Sequence, residues 1–285
     1  MKKNILLIIV LVFFCSCKQG GTMESKKTII RKAPKSVSFH FEKTKHWLAD
    51  NSNNKELHIV LAVNRTDKVN LAKMDSIIVP KDLTGDVEFY LPFPLEVPYL
   101  KDISKIIYFS YATQTFAAYE NGELIYAGPT NMGRRKDPTP TGLFFTNWKA
   151  EKTTSTFNDE WDLRWNFNIA NKLGVGWHQY ELPGFPASHS CMRLQEKDAK
   201  YLYTWADQWI LKDNENILVK GTPVIIFGKY DFDAAKPWQQ LVQNPKALNI
   251  SVAEIENATK PYLNNILSEQ KKRENSSKKN LATMK

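Results

Sequence analysis

Apolar positions in the middle of the chain come in short runs broken by turn residues. Residues 106–111 (IIYFSY), 115–119 (TFAAY) and 124–127 (LIYA) each read as a strand. Asn121-Gly122 stands between the last two, a pair that supplies the two positive-φ residues of a tight hairpin turn. Residues 141–145 and 223–227 add two more strands. This pattern predicts a mainly β fold, a sandwich or barrel-like sheet with at least one helix. The helix is predicted over 198–211, where Leu202, Trp205 and Trp209 recur at helical spacing and read as core.

The flanks differ. Residues 39–100 hold an apolar run at 57–63, the turn Asn64-Arg65-Thr66, and a strand-like segment at 75–80 closed by Pro80. Over about 25 residues this is similar to a LysM-type glycan-binding module; a small accessory subdomain without a ligand is the other reading. Residues 229–285 form a tail in which 237–270 can hold helices, while the basic, polar stretch from Lys271 onward is predicted disordered.

At the other end, Lys2 and Lys3 precede a continuous apolar run at 5–14, too short to cross a bilayer but suited to an export signal. Cys15, Ser16 and Cys17 follow, an order that resembles a bacterial lipoprotein signal with Cys17 as the lipidated residue. An ordinary signal peptide is the alternative. The expected divisions are a signal at 1–17, a linker at 18–38, the N-terminal module at 39–100, a catalytic domain at 103–228 and the tail at 229–285. The protein is accordingly expected in the periplasm or cell envelope, tethered to a membrane through lipid.

Composition narrows the partners. Hydrophobic residues make up 42% of the chain, enough for a core. The net charge of +9 suits an acidic polymer or an anionic surface. With no zinc-finger spacing, RNP motif or Gly-rich phosphate loop, nucleic acid is not an expected partner.

Of the three cysteines, two lie in the signal, so Cys191 is the one thiol expected to stay free. By itself that fits an inert core cysteine as well as a nucleophile. Its surroundings favour the nucleophile: His178, His189 and Cys191 fall within residues 178–191 of a chain holding five His. Imidazole next to a thiol promotes the thiolate, and a thiolate attacking an acyl carbonyl gives a thioester. A zinc site is a weak competitor, because two His and one Cys make an incomplete set.

Ser188-His189-Ser190-Cys191-Met192-Arg193-Leu194, with His178 upstream, resembles the active-site motif of the L,D-transpeptidases, the YkuD family: a His, a loop, then Ser/Thr-His-Gly-Cys-aliphatic-Arg or Asn. Asn131-Met132-Gly133 and Pro138-Thr139-Pro140-Thr141-Gly142 are similar to the family's strand-and-turn segments. The resemblance spans roughly 105–227 and implies a YkuD-like fold. It makes Cys191 the nucleophile on a peptidoglycan stem peptide and His178 the base, oriented by the Gln179 carbonyl. The amides of Ser190 and Cys191 become the oxyanion hole, with His189 and Ser188 supporting it. Arg193 is assigned to a substrate carboxylate or a structural salt bridge. Ser188, Trp177 and Tyr180 are assigned to the substrate side, and Arg134 and Arg135 are candidates to meet the acidic peptide. No metal or organic cofactor is called for.

One position departs from the pattern. The family's Gly is Ser190 here, and Gly tolerates φ > 0 where Ser is strained. Either the backbone is ordinary at this point or activity is reduced. An L,D-carboxypeptidase or crosslink hydrolase on the same fold, and a non-catalytic wall-binding lipoprotein, remain open. A papain-like amidase is disfavoured, because its Cys precedes its His in sequence.

Overall fold

A computed structural model describes residues 29–51, 56–154 and 162–283, with side chains in the last helix as far as residue 278. The predicted signal, Cys17 and the first part of the linker lie outside these residues. In chain order the elements are β1 (Phe39–Lys43), α1 (Thr44–Asn51), α2 (Leu57–Val63), α3 (Lys68–Leu71) and β2 (Ser76–Pro80), then β3 (Ile106–Ser110), β4 (Thr115–Glu120), β5 (Glu123–Pro129) and β6 (Gly142–Phe145). Next come β7 (Lys149–Thr154), β8 (Asp162–Ala170), β9 (Val175–Gln179), β10 (Met192–Leu194) and α4 (Glu196–Trp205). The chain ends with β11 (Ile210–Leu211), β12 (Ile217–Val219), β13 (Pro223–Phe227), α5 (Val252–Thr259) and α6 (Leu263–Thr283).

Two sheets make up the centre of the chain. One has the order β5-β4-β3-β13-β6, the other β10-β9-β8-β7. Side chains alternate across a strand. In β3, Ile107 and Phe109 therefore face the second sheet and meet Phe167, Trp177 and Met192, while Ile106 and Tyr108 face the other way. The fold is mainly β, a sandwich with helices packed against it. The predicted hairpin is present: Asn121 and Gly122 sit at φ +49° and +83° between β4 and β5.

The outer face of the five-stranded sheet explains two corrections. It is as apolar as the inner one and is covered by Leu91, Phe93, Val97 and Leu100 from the N-terminal side, and by Ile255 of α5 and Ile266 of α6. Fully burying such a side chain stabilises by roughly 1.5–3 kcal/mol. The predicted disorder beyond residue 271 is thus replaced by α6. Its buried edge runs through Ile266 and Glu269, and Arg273 on the same edge bonds the carbonyls of Gln208 and Lys220. Nor does the N-terminal segment stand apart. Residues 31–285 form one unit, Ala62 of α2 belongs to the sheet's outer core, and Trp238 and Leu241 complete the core beneath α2. The helix after Cys191 is shorter than predicted. It ends at Trp205, where Ala206 turns extended, and Ile210–Leu211 pair instead with β12.

α4 holds a buried acid. Asp198 is 1% exposed, accepts one hydrogen bond from the Tyr126 hydroxyl at 2.7 Å, and leaves Oδ2 without a partner. Burial pushes its pKa up from 3.8 to about 6. The unfolded chain ionises this group between those values while the folded one retains the proton, so stability falls as pH rises through this window. The change is on the order of 3 kcal/mol, complete above about pH 6. Because buried His178, held at about 4, shifts stability the opposite way over the same window, the loss is read as a difference: in urea unfolding at pH 4 and pH 7, the wild type should lose about 3 kcal/mol relative to Asp198→Asn between the two values. Equal pH dependence in both proteins would refute it.

Candidate active site

The site is built on a parallel strand pair. In β9 and β10, Arg193 pairs with His178 and Met192 with Trp177. Arg193 and His178 share a face, and Cys191, two residues before Arg193, falls on that face as well. His178, Cys191, Arg193, Tyr180 and His189 line one pocket with an empty volume of about 710 Å³. The face behind them belongs to the core. Trp177 is fully buried there, its ring 4.8 Å from Phe167 and 6.2 Å from Phe109. It is therefore a core residue, not the substrate contact expected from sequence.

The His178 ring is buried, and Nδ1 lies 3.0 Å from the Gln179 carbonyl oxygen. A carbonyl only accepts, so Nδ1 carries the proton and Nε2 keeps its lone pair. Burial holds the pKa down at about 4, so the ring is neutral across the physiological range. The Cys191 thiol is pushed above its ordinary range by burial, and its hydrogen bond runs to the Gly174 carbonyl at 3.6 Å. No hydrogen bond joins His178 to Cys191 among the described residues. The resting pair is thus a neutral imidazole and a neutral thiol on one face.

Arg193 stacks over the Tyr180 ring at 4.5 Å. It forms no ion pair with a described carboxylate, which excludes the structural salt bridge among these residues, and the pocket lining contains no Asp or Glu. Arg134 and Arg135 are engaged elsewhere, with Asp137 at 2.6 Å and Asp233 at 2.5 Å, and neither lines the pocket. The His189 ring lies 4.0 Å from the Asp137 carboxylate. The Ser188 hydroxyl donates to the Cys191 carbonyl, so it braces the loop and is not free for substrate.

The 12-residue loop 180–191 joins the parallel strands without a helix and is tied down from outside. Leu182 N–H donates to the Asp67 carboxylate at 2.6 Å, and its carbonyl accepts from Asp67 N–H and the Thr66 hydroxyl. Gly184 N–H donates to the Asn131 side chain, whose amide in turn holds the Arg65 carbonyl. Arg65 is buried, donating to the carbonyls of Thr113, Ala62 and Val63. The turn at 64–67 is therefore a strut for the loop 180–191. Reading the sequence located that turn but not its purpose, because the contacts span more than 100 residues.

Ser190 sits at φ +86°, so the backbone there is not ordinary. Thr139, in the Pro-Thr-Pro-Thr-Gly turn, donates to its carbonyl at 2.8 Å and accepts from Gly133 N–H. Gly133 is required: a Cβ there would lie 2.3 Å from the Asp137 carbonyl oxygen. The opposite wall of the pocket, from β7 and β8 with Trp148, Asn166, Asn168 and Asn171, went unread in the sequence. β7 (KAEKTT) carries no apolar alternation to mark it.

With this geometry established, similarity to known proteins bears on it. The family model for the L,D-transpeptidase catalytic domain, YkuD, matches residues 104–226. That segment holds both sheets and the His178–Cys191 pair. Solved structures similar to the chain include an L,D-transpeptidase from Stackebrandtia nassauensis (24% identity, 45% of this chain and 57% of that one, TM-score 0.37). Others are L,D-transpeptidases from Mycobacterium smegmatis (20%, 44% and 59%, 0.35) and Enterococcus faecium (21%, 44% and 50%, 0.35). The chain covers under two thirds of each of these structures. No curated protein matches it.

A side chain at positive φ costs on the order of 1 kcal/mol relative to Gly, and the Ser190 hydroxyl returns little, being 3.4 Å from the Asp137 carbonyl oxygen. Ser190→Gly should therefore raise the urea midpoint by about 1 kcal/mol equivalent at unchanged slope. A lower midpoint would mean that the hydroxyl outweighs the strain.

Proposed function

We propose that the chain is a cysteine acyltransferase, an L,D-transpeptidase that acts on peptidoglycan stem peptides through a Cys191 thioester. The observation that carries this reading is the His178–Cys191 pair, on one face of two parallel strands, with the base neutral and its Nε2 lone pair available. The match of residues 104–226 to the YkuD catalytic domain supports it.

The thiol proton passes to His178 Nε2 as sulfur bonds to the donor carbonyl carbon. The carbonyl oxygen becomes an oxyanion facing the amides of Ser190 and Cys191, where one donor is worth roughly 3 kcal/mol. Collapse breaks the C–N bond, and the His178 proton goes to the departing amine of the terminal D-residue. An acceptor amine then attacks the thioester, gives its proton to His178 and releases the thiol. Arg193, a cation without a carboxylate partner among the described residues, suits a substrate carboxylate. His189 acts on the loop and does not serve as the base.

The protonation states set the pH dependence. The reactive form needs neutral His178 and an intact thiol. It exists between about pH 4, the His178 value, and the Cys191 value above its usual range. Acylation by a tetrapeptide donor, followed by intact-protein mass spectrometry, should be nearly flat from about pH 5 to 8. In His178→Ala it should be lost at neutral pH and recover as alkali ionises the thiol. His189→Ala should keep the flat profile at a lower rate. Exchange of these two mutant profiles would make His189 the base. Dimeric products identify transfer, tripeptides alone identify hydrolysis, and no adduct on Cys191 would leave a non-catalytic binder.

The same reading extends to the envelope. Cys17 carries lipid and tethers the enzyme to a membrane facing its polymer, as the order of residues 2–17 supports. Cys17→Ala should move the protein from the membrane to the soluble fraction. Retention of that variant on membranes would exclude the anchor.

A further inference from the structure

Strand β8 does not pass His178 in regular register. Arg164 pairs with Gln179 and Phe167 with Trp177, so Trp165 and Asn166 together oppose His178. A bulge of this kind re-aims the side chains on either side of it. Trp165 takes up the distortion at φ +53°, a conformation unfavourable to a residue with a Cβ. Its indole turns away from the pocket: Nε1 bonds Glu196 at 3.3 Å, Lys200 lies 4.8 Å over the ring, and Tyr203 meets it edge-on. Asn166 is thereby aimed into the pocket.

Asn166 is 5% exposed, and its carboxamide makes no hydrogen bond to a described residue. Its neighbours on the same wall do: Asn168 accepts from Asn147 at 2.9 Å, and Asn171 from Trp148 at 3.0 Å. The carboxamide thus faces the pocket without a described protein partner, and this coincides with a strained backbone opposite His178. Both features make sense if a ligand completes the amide. A carboxamide offers an acceptor and two donors, the complement of a peptide group. The pocket's one guanidinium and lack of carboxylates suit a donor that brings a carboxylate and neutral amides, not an ammonium group, to this wall.

We infer that Asn166 is a substrate-binding residue whose carboxamide pairs with a main-chain amide of the acyl donor adjoining the carbonyl that Cys191 attacks. This rests on the acyltransferase reading above. The bulge exists to place that amide opposite His178, so the donor is held between the β8 wall and the His178–Cys191 face.

The test uses the full chain with Asn166→Ala and Asn166→Gln, each first checked for an unchanged thermal midpoint. Steady-state turnover of a stem tetrapeptide is measured beside alkylation of Cys191 by iodoacetamide, a probe too small to need the wall. In Asn166→Ala the tetrapeptide KM should rise about tenfold with kcat within about twofold, the pattern of lost binding. The alkylation rate should not change, and Asn166→Gln should recover part of the KM. An unchanged KM in Asn166→Ala, with the wild type active, overturns this inference alone. Equal losses in turnover and alkylation also overturn it, since Asn166 would then be holding His178 or Cys191. A wild type that is alkylated but does not convert the tetrapeptide overturns the acyltransferase reading, and this inference with it.

Discussion

The parallel pairing of β9 with β10 is the constraint on which the site depends. It puts Arg193 beside His178 and Cys191 on the same face, and so fixes which side chains can cooperate. Parallel neighbours cannot be joined by a tight turn; the chain must travel out and back. Here that path is the 12-residue loop 180–191, which contains no helix to stiffen it. Its backbone groups take partners from elsewhere: Asp67 and Thr66 at Leu182, Asn131 at Gly184, Met132 at Ala187 and Ser188. Order at Cys191 is imported from segments distant in sequence.

The electrostatic state of the site follows from the same burial. Desolvation lowers the basicity of His178 and opposes ionisation of Cys191, so the resting site holds no thiolate–imidazolium pair. A thiol kept protonated at rest is also less exposed to oxidation, since the thiolate is the reactive form.

Much of the sandwich was legible because β3, β4, β5 and β13 are short apolar runs with turn residues between them, and Asn121-Gly122 makes its hairpin locally. The motif around Cys191 was legible for the same reason: its residues are contiguous, and His178 is separated from it by one loop. What escaped detection depends on tertiary context. The polar strand β7 is held by pairing with β8, not by its own pattern. Trp177 sits beside His178 in sequence but on the opposite side of the sheet, because neighbours on a strand alternate faces. The basic end of the chain looked too polar to fold, and only the apolar outer face of the central sheet explains why α6 exists.

The strut at 64–67 has a consequence for where the folding unit begins. The segment matching the catalytic family starts at residue 104, yet Thr66 and Asp67 hold Leu182 from outside it. Cutting at that boundary would strip partners from both backbone groups of Leu182 and uncover the sheet face beneath Leu91, Phe93 and Val97. The minimal cooperative unit is therefore larger than the minimal recognisable one. An insertion or substitution at the Asn64–Asp67 turn, far from Cys191 in sequence, is as direct a route to altering the loop that carries Cys191 as a change within the loop itself.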